Sequence, residues 1–521
     1  MAGASNAQIF TINDAINQAI QTHPAIGEAT ANRRATEAEL RQRQGSLLPQ
    51  VRLEASTGPE QYKRHITPVP IDNGATINGS NASIVVRQVL FDGFSSLNEI
   101  WRQAARVDGA ALRVLERSEL IALDAVEAYI DVTRYLRLVR LSEENFGAHN
   151  RILSNVRQRF EGGRSGEGDL QQSLERVAAT EAVLADFRRS LEDARAKYRR
   201  AVGLEPANLV FPARLSRMPT SKDESLAIAL RFNPTIQAAQ ADADAAKFGF
   251  RATSGAFMPT VSLEGRALRG NDSDQVAGRR DDVSGKVIMS WDIFRGGQDV
   301  WRRNEAAERM IEQGSRHARL QREAFEALDK AWAARTITNT RIAALTREVN
   351  AAGKVVTAYS REYQLGQRTL IDLLNAQNQQ FNAMVSLVSS RGVTVFADYQ
   401  LLAAMGKLLD YLKTAPAPEA ELLETRPFGL FPLKIPHVWI TEPVTGPEPL
   451  TVDGRYPVAA RAHWASAAST LRIAGVDPKV AAAAIPEPQT NDIDARWPQS
   501  ATSFAPTNPM RIVSWPIGKL Q

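Results

Sequence analysis

The sequence predicts a mainly α-helical chain with some membrane β structure: long coiled-coil helices plus a 12-stranded β-barrel that three protomers build from four strands each. Three observations lead there. Residues 71–205 and 260–415 contain no proline, whereas sixteen of the 26 prolines lie at or beyond Pro416. Two long stretches are therefore free to be helical, and the end of the chain is of another kind. The two stretches are also copies of one another, and short alternating segments recur at matching places in both.

The repeat is read from paired landmarks. Thr22-His-Pro-Ala-Ile26 matches Phe232-Asn-Pro-Thr-Ile236, and Pro49 matches Pro259, both at an offset of 210. Past a loop the offset becomes 203, as Val89-Leu-Phe-Asp-Gly93 meets Asp292-Ile-Phe-Arg-Gly296. It holds onward through Gly163 and Gly366, Asp169 and Asp372, and Ala201-Val-Gly203 and Ala404-Met-Gly406. The change falls in a loop, where length is cheap to vary. This organisation divides the chain into a first repeat, 1–212, a second, 213–412, and a Pro/Ala-rich tail, 413–521, expected to be disordered or docked on the outside.

Each copy begins with one helix, 12–46 and 224–256, stopped by Pro49 and Pro259. Alternating strands follow, Val51–Thr57 and Val261–Ala267, and return as Ala82–Arg87 and Val283–Trp291. The latter puts Val283, Val287, Met289 and Trp291 on one face and Ser284, Lys286 and Ser290 on the other, with Ile288 the exception. Loops at 58–80 and 269–281 join the strands. A helix from Phe94 to Gly162 comes next, roughly 100 Å long. Its stripe Val114, Ser118, Ile121, Ala125, Ala128, Val132, Tyr135, Val139, Ser142, Phe146, His149, Leu153, Val156 and Phe160 steps alternately by four and three. That 3.5-residue period is the coiled-coil spacing, so the helix needs partners of similar length. His149 reads as a seam residue, not a metal ligand.

Four strands cannot close a barrel in lipid, where every backbone polar group must be paired and the smallest barrels have eight strands. Three copies supply twelve, with apolar residues outward and polar residues lining a wet pore.

Composition narrows the function. The net charge is +5, but arginines interleave with acids along the helices, as in Arg113-Val-Leu-Glu-Arg117-Ser-Glu119, which reads as solvated faces and not as a nucleic-acid surface. The absence of cysteine excludes disulfides, zinc-thiolate sites and thiol nucleophiles. No apolar run is long enough for a transmembrane helix. The opening residues lack the pattern of a secretion signal, so the sequence reads either as cytosolic or as following a signal upstream of Met1. There is no phosphate-binding glycine loop and no catalytic triad spacing, and Gly162, Gly163 and Gly166 read as turn glycines. No enzyme activity and no cofactor are expected. Trp439, Trp464, Trp497 and Trp515 allow local docking of the tail, to which no function is assigned.

Over residues 10–412 the chain resembles the TolC family of outer-membrane efflux and secretion channels. Val89–Gly93 and the paired turns Phe160–Leu170 and Tyr363–Leu373 carry the resemblance. It implies a homotrimeric tunnel in outer-membrane lipid that extends into the periplasm. It also implies a periplasmic adaptor (membrane fusion protein) and an inner-membrane ABC exporter or drug pump as partners. Residues Phe91–Trp101 most resemble the type I protein secretion ducts; a multidrug efflux duct and a soluble coiled-coil scaffold remain alternatives. The resemblance further implies a gate at the hairpin tips, with Tyr363 and Arg368 facing Asp169 and Gly168. An acidic ring is implied at Asp372, where Asn375 replaces a second acid and weakens cation blockade. The turns Gly163-Arg164-Ser165 and Gly366-Gln367-Arg368 become adaptor-docking tips. On residue type alone, Asp169 and Asp372 read as helix N-caps after glycine-rich turns.

Overall fold

The computed structural model describes residues 10–61, 76–272 and 278–423. The tail tryptophans and the central parts of both inter-strand loops lie outside them.

The first helix of each copy is two helices. Helix α1 spans Ile12–Thr22 and α2 spans Pro24–Gly45, with His23 extended between them (φ −71°, ψ 124°). The residue before a proline is driven from helical geometry, and proline itself is well placed at a first helical position. Prolines 24 and 234 therefore end one helix and start another. The junction recurs at Asn233, between α5 (Lys222–Phe232) and α6 (Pro234–Ala252), before a 3₁₀ turn at Thr253–Phe257. The side chain of Asn233 caps α6 by accepting from the Thr235 N–H at 2.9 Å, and His23 Nδ1 accepts from the Ala25 N–H at 3.2 Å.

Strands β1 (Gln50–Gln61), β2 (Thr76–Phe91), β3 (Thr260–Asn271) and β4 (Arg279–Ser290) form one antiparallel sheet in sequence order. They run further into the predicted loops than the sequence reading allowed. The register carries the alternation across all four strands: Leu53, Ile84, Ala267 and Val283 form one row, and Val261 stands opposite Met289. On this face Val51, Leu53, Val283, Val287 and Met289 are each at least two-thirds exposed. The other face carries Arg52, Glu54, Arg87, Glu264, Arg266 and Lys286. The apolar belt from Val283 to Trp291 is roughly 27 Å long at ~3.4 Å per residue. It ends at one margin in the ion-paired Arg269, Asp281 and Arg279, and at the other in exposed Trp291 and Phe294.

Helix α3 covers Ser95–Glu161 and α4 covers Glu167–Val202; α7 covers Gln298–Gln364 and α8 covers Leu370–Ala404, followed by α9, Leu408–Leu412. Both α3 and α7 have 67 residues, offset by 203 at each end. At the start of α3, Gly93 is left-handed (φ +66°), and a Cβ there would sit 2.7 Å from the Cα of Gly255. Asp92 accepts from the Ser96 N–H at 2.8 Å. The Val89–Gly93 motif thus caps a helix and lets two backbones touch.

The two long helices differ in burial. Helix α3 buries thirty residues, packed by α1, α2, α4, α6 and α8, whereas α7 buries three among the described residues. Of the predicted stripe on α3, Tyr135, Val139 and Phe146 are half-buried, Phe160 is exposed, and the rest are buried. The main core lies where α1, α3, α4, α8 and α9 converge around Tyr129, Tyr198 and Leu401. Buried Asp398 on α8 ties the linker between the copies to α7, accepting from Arg214 at 3.0 Å and Arg335 at 3.1 Å. Past α9 the chain stays packed as far as Leu423, whose N–H donates to Asp108 at 2.9 Å.

Candidate gate at the hairpin tips

Each long helix ends in a turn closed by its own backbone. Gly163 (φ +65°) and Gly366 (φ +77°) take left-handed conformations there. The N–H of Arg164 donates to the carbonyl of Arg159 at 2.7 Å, and that of Gln367 to Glu362 at 2.9 Å. Gly163, Arg164, Gly366 and Gln367 are exposed, and Ser165 and Arg368 are half-buried.

Asp169 and Asp372 do not themselves cap their helices, because each stands at the third helical position. The N-caps are Gly166 and Thr369. Asp372 accepts from the Thr369 hydroxyl at 2.6 Å while its N–H donates back to the Thr369 hydroxyl oxygen, so Thr369 caps α8 through its side chain. Asp169 accepts from the Ser165 hydroxyl at 2.7 Å. Asp372 is half-buried and Asn375 exposed, one turn apart on α8.

Within one protomer Arg368 does not meet Asp169 or Gly168. Its guanidinium pairs with Glu362 through Nε and Nη2, both at 2.9 Å, and lies 4.2 Å from the centre of the Tyr359 ring. This pairing holds Arg368 protonated even more firmly than usual. Tyr363 instead lies under Arg159 of the first hairpin, 4.6 Å from the ring centre. Arg159 also donates to the carbonyl oxygens of Tyr363 (3.4 Å) and Gln364 (3.3 Å). Burial raises the Tyr363 hydroxyl above its ordinary pKa, so it stays protonated and able to donate. A cleft of about 510 Å³ separates the hairpins here, lined by Ile152, Asn155, Arg159, Ser360, Tyr363 and Leu373 among others.

Sequence reasoning missed Arg159 and Glu362. They occupy matching positions in the two copies with opposite charges, a signal that the 203 offset exposes. What the tips can do is bind and release: exchangeable charge-assisted hydrogen bonds on glycine turns, with no nucleophile or general base set against a substrate cleft.

The sequence profile described as outer membrane efflux protein matches residues 15–204 and 226–407. The outer membrane efflux protein BepC of Brucella suis is 26% identical over 76% of this chain and 86% of its own length. The outer membrane protein TolC of Escherichia coli is 22% identical over 78% and 84%. The alkaline protease secretion protein AprF of Pseudomonas aeruginosa is 23% identical over 66% and 71%. Among solved structures, the outer membrane protein VceC of Vibrio cholerae superposes with a TM-score of 0.67 at 17% identity, covering 76% of this chain and 96% of that one.

Proposed function

The chain belongs to the outer membrane efflux protein family, and from that premise we propose that three copies assemble into the outer-membrane duct of a type I protein secretion system. It is an outer-membrane channel protein that extends into the periplasm, in a family of channels and not of enzymes.

One observation carries the trimer. The sheet has an apolar face, and its outer edges, β1 and β4, have no partner among the described residues. An unpaired backbone group in lipid costs several kcal/mol, so β4 of one copy takes β1 of the next until twelve strands close. The apolar belt then faces lipid and the row containing Arg52, Glu264 and Lys286 faces the pore. The bare flank of α7 supports the same arrangement. Helix α3 has α2 on one side and α6 on the other; α7 has α6, and its second neighbour is α2 of the adjoining copy. A soluble scaffold leaves the apolar sheet face with no environment to match it.

At the tips, Arg368 exchanges Glu362 for Asp169 and Gly168 of the adjoining copy, making a latch between protomers. Solvent screens each such pair, so three form a closure that an adaptor docked on the turns 163–165 and 366–368 can open. Three Asp372 carboxylates ring the constriction above Asn375, favouring cations. The energy comes from an inner-membrane ABC exporter.

The relative named for alkaline protease secretion supports the secretion reading. BepC, named for efflux and matched over more of the chain, supports a second, a multidrug efflux duct. Deleting the gene in its host separates them. The secretion reading expects a large protein to vanish from the culture supernatant with drug susceptibility unchanged. Hypersensitivity to drugs with an intact set of secreted proteins overturns it in favour of efflux.

A further inference from the structure

Next to the sheet, the opening turns of α3 and α7 flank α6, and the three helices enclose a groove of about 610 Å³. Ala245, Ala246 and Gly249 of α6 line it with short side chains. The walls are basic: Arg102, Arg106 and Arg113 on α3, and Arg302, Arg309 and Arg316 on α7. Three acids stand among them, Glu99, Asp242 and Glu305.

The repeat sorts these charges into layers, because α3 and α7 start at matching places. Glu99 matches Arg302 and Arg102 matches Glu305, so each of the first two layers carries one charge of each sign. Arg106 matches Arg309 and Arg113 matches Arg316, so the next two layers carry arginine on both long helices. Those two layers lie seven residues apart, roughly 10 Å along the helix. Nearby acids answer part of the charge. Arg102 pairs with Glu99 at 2.6 Å, Arg106 with Glu39 at 3.2 Å, Arg309 with Glu312 at 2.9 Å, and Arg113 with Asp242. Arg302 and Arg316 have no ion pair among the described residues. Arg106 and Glu39 are each about half exposed, so water weakens their pair and a ligand can exchange for it.

The groove faces away from the layer packed on the other side of α3. There Asp108, Leu112 and Glu119 meet Leu423, Leu422 and the start of α9. Arg106 and Arg113 lie roughly 130° around the helix from them. An added layer fits the convex side of a tube, which turns the groove toward the lumen of the trimer.

We propose that Arg106 with Arg309, and Arg113 with Arg316, form two arginine rings in the tunnel that bind carboxylate-rich stretches of the polypeptide in transit. The site rests on the trimeric secretion-duct reading and gives its cargo a chemical class. Rings of one sign inside a protein wall focus the field and gather counter-charge. A guanidinium takes a carboxylate through two parallel hydrogen bonds. A lone carboxylate gains little at such exposed groups. An extended chain with acids three residues apart spans roughly 10 Å, so it reaches both rings at once. The ligand is therefore a polymer and not a small anion, and each contact stays weak enough to release it.

Single-channel recording in planar bilayers tests this with poly-glutamate as the probe. It is added on the side of the inter-strand loops, where it meets the rings before the Asp372 constriction. Wild type should show voltage-dependent block, while free glutamate at the same carboxylate concentration leaves the current unchanged. Arg309→Gln with Arg316→Gln, both at exposed positions, should raise the poly-glutamate concentration for half block about tenfold. Arg309→Lys with Arg316→Lys, which keeps the charge but loses the planar fork, should fall between Gln and wild type. Equal block of wild type and the Gln variant overturns the rings, as does a Lys variant as weak as Gln. Block by free glutamate as strong as by the polymer overturns the polymeric ligand. Channels that conduct but ignore poly-glutamate overturn this site alone, whereas a wild type that forms no channel overturns the trimeric reading with it.

Discussion

Glu119 carries a titration close to neutral pH. It is 4% exposed on α3 and accepts from the backbone N–H groups of Leu408 (3.2 Å) and Leu409 (3.3 Å) at the start of α9. Burial pushes its pKa up from 4.5 to about 7, against the pull of those two donors and of Lys407. A carboxyl raised on folding contributes stability that is full below its unfolded value and is lost as pH rises through its folded value. Wild type should therefore lose thermal stability relative to Glu119→Gln between about pH 5 and about pH 8, by an amount on the order of 3 kcal/mol. Parallel melting curves for the two proteins across that range contradict the assignment. His149 behaves in the opposite sense: burial lowers its pKa, and neither ring nitrogen has a partner among the described residues. It stays neutral in the seam where the 3.5-residue stripe had put it. The resemblance singled out Asp169, Tyr363, Arg368 and Asp372 and set Arg368 against Asp169; the partners seen within the protomer, Ser165, Glu362 and Thr369, are chosen by turn geometry that spacing does not encode. For the acidic ring, Asp372→Ala should relieve block of the channel by divalent cations. A wild-type channel with no such block counts against the ring.

Among elements, the helices before each strand show how one residue redirects a chain. The 12–46 stretch reads as a continuous helix on hydrophobic spacing, yet His23 lies outside helical geometry because Pro24 follows it. Asn233 repeats the break and adds a side-chain cap on α6. Losing such a cap costs ~1 kcal/mol. Asn233→Ala should therefore lower the melting temperature, and Asn233→Asp, which can still accept both N–H groups but cannot donate to the Ala404 carbonyl as the Asn233 amide does at 2.9 Å, should restore it only in part; equal melting of Ala and wild type contradicts the role. The strands were legible through their period of two, but their length was not. Arg269, Asp281 and Arg279 look like loop residues until the register lines them up as an ion-paired margin. The long helices were the most legible elements, since absence of proline and a sustained 3.5-residue repeat leave few alternatives. Gly93 belongs here as well: Gly93→Ala meets both a left-handed φ and the Gly255 backbone, so it should unseat the junction between sheet and helix.

For the whole molecule, the described residues enclose one of the two long helices and leave the other bare. Helix α3 is enclosed while α7 keeps Trp301 72% exposed and Ile337 70% exposed. The sheet likewise pairs internally, and among the described residues both its edges are open. Sequence patterning anticipated the incompleteness, because four amphipathic strands cannot seal themselves in a bilayer. It did not anticipate where the helical bareness falls, since α3 and α7 have the same length and are repeat-related. Which helix is enclosed depends on how α2 and α6 dock, a packing outcome that no single helix encodes.

The most direct measurement of this account is the mass of the purified full-length chain in detergent, by light scattering with the detergent contribution subtracted. Three copies of the 57.2 kDa chain are expected, in a species that falls to monomer only on heating. A single copy that stays soluble and monodisperse after the detergent is removed contradicts it.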